Sequence, residues 1–160
     1  MLINTEIMEN GIILNNSVLD VVTVAWAIAQ FYKVFSSLIT EKKFNIRRLW
    51  ETGGMPSSHS STVTALATSI GIAYGTATPL FAISSIFAII VMHDAAGIRR
   101  AAGKQAGALN RIGATLSKIF DERFDEEHLK ELLGHNPVEV LTGGLLGVAV
   151  AFIFKFHLVS

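Results

Sequence analysis

The chain has 160 residues, 51% of them hydrophobic and only 16% charged, with a mean hydropathy of +0.48; soluble domains carry about 25% charged residues. That balance excludes disorder, a coiled coil and an ordinary cytosolic domain, and predicts one compact membrane-embedded unit. Thirteen Lys and Arg offset thirteen Asp and Glu, so no global positive field attracts nucleic acid, and the lack of cysteine removes disulfides, thiolate zinc sites and thiol chemistry. At the start, MLINTEIMENG carries two glutamates and no basic residue, unlike the positive n-region of a secretory signal.

A span needs about 20 mostly apolar residues. Four stretches qualify as candidates, at about 18–39, 60–76, 78–92 and 140–158, which predicts an all-α integral membrane helical bundle forming a single domain over 1–160. The first is interrupted by Gln30 and Lys33. The second is weak and rich in Ala, Thr, Ser and Gly, as expected of a helix packed inside a bundle. The third is dense, and the fourth carries Lys155 near its end, where a long side chain can snorkel. Gly71-x-x-x-Gly75 and Gly143-x-x-x-Gly147 have the spacing that lets helices approach closely, within the chain or in a homo-oligomer, although such spacings also arise by chance. Between the third and fourth spans lies a polar insertion, 93–137. In it Leu109, Ile112, Leu116, Phe120 and Phe124 recur at helical spacing, predicting an amphipathic helix.

Eleven of the thirteen basic residues fall in 41–55 and 93–134. With four spans these loops share one side of the membrane, which the positive-inside rule makes cytoplasmic; basic residues gathered to bind an anion give the same count. A bacterial plasma membrane suits so compact a chain.

Three polar clusters could carry chemistry. In Gly53-Gly54-Met55-Pro56-Ser57-Ser58-His59-Ser60 the glycines free the backbone, Pro56 sets a turn, and Ser57 or Ser58 can cap the second span. A helix N-terminus there is an anion site with His59 in its first turn, placed to protonate a leaving oxygen; equally, it is a plain helix start. In Gly134-His135-Asn136-Pro137-Val138-Glu139, an N-cap Asn, Pro at N1 and an acid at N3 make a capping box, which accounts for Asn136 and Glu139 without catalysis but leaves His135 unexplained. A histidine beside a carboxylate can be held in one tautomer and made a better nucleophile. The third cluster, Asp94 with Arg99 and Arg100, reads either as a positive cap on the third span or as a guanidinium clamp on phosphate oxygens. Lys33, ionisable and inside a span, either snorkels or serves the site.

TGGMPSSHS, then VMHDAAGIRR with a downstream QA and LN, then LKELLGHNPVEV followed by GG, resemble the divergent branch of the superfamily of type 2 phosphatidic-acid phosphatases and vanadium haloperoxidases, over about 29–147. The resemblance implies an all-helical fold and metal-independent removal of phosphate from a lipid phosphate or pyrophosphate, with no cofactor and the lipid bilayer as surroundings. It makes His135 the nucleophile, His59 the general acid and Glu139, in place of the usual aspartate, the group that orients the nucleophile. It places Gly54, Ser57 and Ser58 at the phosphate; the family's basic residues do not carry over position by position, and Lys33, with Arg99 or Arg100 from a distance, substitutes for them. Besides Glu139, the sequence departs from the family pattern in having Ser58 where a Ser-Gly pair has its glycine, which would narrow the pocket, in four spans rather than the usual six, and in its basic residues. The usual lysine and Arg-Pro pair before PSSHS is missing, leaving Lys42, Lys43, Arg47 and Arg48 at other spacings. The arginine expected six residues before the nucleophile is Leu129, with Lys130 beside it. Lys43, Arg48, Asp94 and Lys130 are therefore secondary candidates. Two other readings remain: a non-catalytic lipid-phosphate or anion-binding protein or assembly helper, and metal-dependent phosphotransfer using Asp94, Glu139 and the histidines.

Overall fold

The structure is a computed structural model that describes residues 11–41, 54–120, 129 and 134–159. Lys42, Lys43, Arg47, Arg48 and Lys130 lie outside the described residues. Six helices, and no strand among the described residues, follow in order: α1 Ser17–Glu41, α2 Ser58–Tyr74, α3 Pro79–Ala96, α4 Ile98–Phe120, α5 Pro137–Ile153 and α6 Lys155–Val159.

The starts of the helices follow from local chemistry. Thr78 caps α3 by accepting the Phe81 N–H at 3.3 Å, with Pro79 in the first position, where its missing N–H costs nothing. Ser57 caps α2 through the Ser60 N–H at 3.3 Å. Asn136 and Glu139 interlock at the start of α5, as the capping-box pattern predicts.

Helix α2 is the hub, packing against α1, α3 and α5. The buried positions are small: Ala25, Ala65, Ala151, Gly143 and Gly147 lie inside with Val21, Val63 and Val150. The large apolar side chains point outward, among them Trp26, Phe31 and Phe35 on α1, Ile83, Ile86, Phe87 and Ile90 on α3, and Leu141, Leu145 and Phe152 on α5. Water would drive that arrangement the other way round. In lipid the outer surface is already solvated, and small inward residues let the helices gain contact by approaching one another.

Among the described residues two helical runs are long and apolar enough to cross a bilayer, Ser17–Ser36 and Pro79–Phe120, the second joining α3 to α4. Its apolar part ends near Met92, before Asp94 and Arg99. Helix α5 is apolar but shorter, at 17 residues, and α2 has the same length; at 1.5 Å per residue each is about 25 Å long.

The fourth predicted span differs from its expectation by breaking at Phe154 into α5 and α6. The turn has a local cause: it buries Leu158 and lets His157 Nε2 reach Asp20 Oδ2 at 2.9 Å, near the start of α1. The same carboxylate accepts the backbone N–H groups of Ile12 and Ile13, at 2.7 and 2.8 Å. The polar insertion begins in the last turn of α3 and continues as α4, helical and amphipathic as expected.

Candidate active site

Antiparallel packing brings the C-terminal part of α1, the start of α2, the end of α3 and the start of α5 to one end of the bundle. Two backbone hydrogen bonds fasten the clusters together there. The Ser57 N–H donates to the Glu139 carbonyl, and the His135 N–H to the Ala95 carbonyl, each at 2.9 Å.

The helices approach closely because of two glycines. A Cβ on Gly143 would collide with the backbone of Ser57, and one on Gly147 with the Ser61 carbonyl and the Thr64 hydroxyl. The Gly143-x-x-x-Gly147 spacing is therefore a contact within the chain, where α5 lies against α2. Thr64 reinforces it by donating to the Gly144 carbonyl at 2.9 Å. Gly134, before the nucleophile candidate, has φ +92°, and a Cβ there would strike the backbone of Arg99 and Arg100.

His135 is 2% exposed. Its Nδ1 lies 2.9 Å from Glu139 Oε2, one helical turn on, while its Nε2 is buried with no hydrogen-bond partner among the described residues. Glu139 also accepts the Asn136 backbone N–H at 3.2 Å. Both readings of Glu139 from the sequence meet in one atom: the same oxygen caps α5 and holds the imidazole. A buried ring nitrogen without a partner is costly and calls for an explanation.

The His59 ring is half-buried in the first turn of α2, its centroid 6.0 Å from that of His135 and the planes 64° apart. Lys33 does not snorkel. It is 5% exposed, and its Nζ donates to Ser58 Oγ at 3.1 Å across the α1–α2 contact. Ser57 is fully buried, its hydroxyl accepting from Ser60 Oγ at 3.1 Å.

Of the residues singled out from sequence, the structure gathers Lys33, Ser57, Ser58, His59, His135 and Glu139. Gly54 is exposed, with φ +82°, in the turn leading to Pro56. Arg99 pairs with Asp94, Nε to Oδ2 at 2.7 Å, with both side chains substantially exposed. Arg100 is exposed, and its backbone forms the wall beside Gly134. Sequence reasoning missed the Ala95 carbonyl, which leaves no trace in residue type, and had no reason to pair Lys33 with Ser58.

The fold and this site together define a membrane helical bundle in which a buried histidine, held by a partly buried carboxylate, lies near a second histidine and a lysine. Comparison with known proteins agrees at the level of family. The profile described as "Divergent PAP2 family" matches residues 14–150, and the chain belongs to that family. It is 41% identical over 137 residues to the uncharacterized membrane protein YuiD of Bacillus subtilis (strain 168), covering 80% of this chain and 87% of the relative. No solved structure matches.

Proposed function

We propose that the chain is a membrane phosphatase that hydrolyses a lipid phosphate or pyrophosphate through a phosphohistidine intermediate. The observation that carries this reading is the His135 ring: one nitrogen on Glu139, the other buried without a partner among the described residues and close to His59. A proton on Nδ1 held by Glu139 leaves the lone pair on Nε2. That lone pair attacks phosphorus, a P–N bond forms, and the bond from phosphorus to the leaving oxygen breaks as protonated His59 supplies that oxygen's proton. Water then attacks the phosphohistidine, His59 takes the proton, and the P–N bond breaks to release phosphate. Lys33, the Ser57–Ser58 start of α2 and Arg99 are the groups that offset charge on the phosphoryl oxygens, the kind of stabilisation that dominates phosphoryl transfer. In this reading the site opens on the cytoplasmic side of a bacterial plasma membrane, where the basic loops lie.

The test is phosphate release from a panel of lipid phosphates and pyrophosphates by detergent-purified protein in excess chelator, with His135→Ala alongside. Release by the wild type alone supports the reading and names the substrate class. Folded wild-type protein that binds lipid phosphates without turnover overturns it in favour of an anion-binding relative. Turnover only with added divalent metal overturns it in favour of metal-dependent phosphotransfer.

A further inference from the structure

Beyond its first turn, where Arg99 and Arg100 lie beside Gly134, helix α4 leaves the site of the two histidines. It carries five basic residues, Arg99, Arg100, Lys104, Arg111 and Lys118, all exposed, and no acidic one. At 100° per residue the helix has three faces. Gly103, Ala106 and Gly107 form the buried one. Leu109, Ile112, Leu116, Ile119 and Phe120 form an exposed apolar one. Lys104, Arg111 and Lys118, spaced by seven residues, form a basic stripe on the polar side, next to the apolar face across Ala108 and Thr115. Where the two meet there is a shallow open depression lined by Ala108, Arg111, Ile112, Thr115 and Leu116. It sets a guanidinium directly beside apolar carbons.

We infer that α4 lies on the membrane surface and takes anionic phospholipids, the head-group phosphate at the Lys104–Arg111–Lys118 stripe and the acyl chains against Ile112 and Leu116. Three observations fix this occupant. The first is position: α4 continues α3 after Gly97, so it begins where the apolar part of a spanning run ends and charge starts. The second is charge: a helix with bases and no acids complements a negatively charged leaflet, and a polar face rich in Lys and Arg opposite Leu, Ile and Phe is the pattern of interfacial helices. The third is exposure: the apolar face stays open although the helix is packed on its small face, among the described helices chiefly against α3. The chain holds a competing anion of its own in the acidic stretch 121–131, and Asn110 bonds the backbone of Leu129 in both directions, at 2.9 and 3.1 Å, bringing the chain back beside α4. That stretch offers carboxylates but no acyl chain for the apolar face.

The absence of cysteine permits a clean test. Ile112→Cys in the full chain is labelled with an environment-sensitive fluorophore and reconstituted into phosphatidylcholine vesicles, alone or with about one third phosphatidylglycerol. A water-soluble quencher then reads exposure. The expected result is a blue shift and several-fold slower quenching with the anionic lipid, reduced by high salt and abolished when Lys104→Gln, Arg111→Gln and Lys118→Gln are added. Helix content by circular dichroism checks that this triple variant folds. Equal shielding in both lipids, whether by a neutral interface or by the chain's own acidic stretch, overturns the inference. So does equal exposure in both. Cross-linking of the unlabelled Ile112→Cys variant between copies, with shielding that follows protein density instead of lipid charge, overturns it in favour of a second copy of the chain.

Discussion

The two ends of the bundle each hold a histidine against a carboxylate at 2.9 Å, yet the surroundings of the two pairs differ. At one end His135 meets Glu139; at the other His157 meets Asp20. The Asp20 carboxylate is fully engaged by His157 and by the backbone of Ile12 and Ile13, and the His157 side chain is 30% exposed. This pair ties the segment before α1 to α6, and among the described residues no cation, hydroxyl or second histidine is bonded to it. Glu139 instead leaves its histidine with a buried nitrogen to spare, and Lys33, Ser58 and His59 stand around it. The pair alone is therefore no sign of chemistry; the proposed function rests on what surrounds the far nitrogen.

Substitutions on the two sides should separate them. The largest contrast is His135→Ala against His157→Ala: the first should cut phosphate release on the order of 10³-fold or more, the second should leave turnover near the wild-type rate. Equal loss from both would erase the distinction. Next comes Glu139→Gln, which keeps shape and removes charge. It should slow turnover on the order of 10²-fold with substrate affinity nearly unchanged, whereas a purely capping role would move only thermal stability. Gly143→Ala should then destabilise the protein in detergent by about 1–3 kcal/mol, because its new methyl meets the Ser57 backbone, and should lower activity as the two clusters are pushed apart. Asp20→Asn weakens three bonds at the other end and should cost about 1–3 kcal/mol in unfolding experiments without changing turnover. Smallest of all, Asp94→Asn breaks an exposed pair worth under about 1 kcal/mol; any effect it has should appear in substrate affinity, through an Arg99 freed to face the anion.

Much of this was legible in the sequence. The apolar runs located the helices to within a few residues, since burial in lipid needs only composition and length. The meeting of the PSSHS and HNPVEV clusters followed from topology, because both border loops on the same side of an antiparallel bundle. The four-residue spacing inside HNPVEV put His135 within one turn of Glu139. Other features are tertiary and left weaker marks. Lys33 finds Ser58 only because α1 crosses α2 at that height, and the turn at Phe154 has no Gly or Pro to announce it; it answers to Asp20, far away in the chain. The role of Gly143 and Gly147 was visible as a spacing, but the partner was not.

The bond from Ser57 to Glu139 joins the beginning of the second helix to the beginning of the fifth. During synthesis, then, the first three helices are made while one half of the candidate site is still missing. His59 and Lys33 precede His135 and Glu139 along the chain, so on the proposed function no turnover is expected until the last apolar helix arrives. Two separately expressed pieces, divided between residues 120 and 134, should each be silent and should regain turnover together only if they find one another in the bilayer.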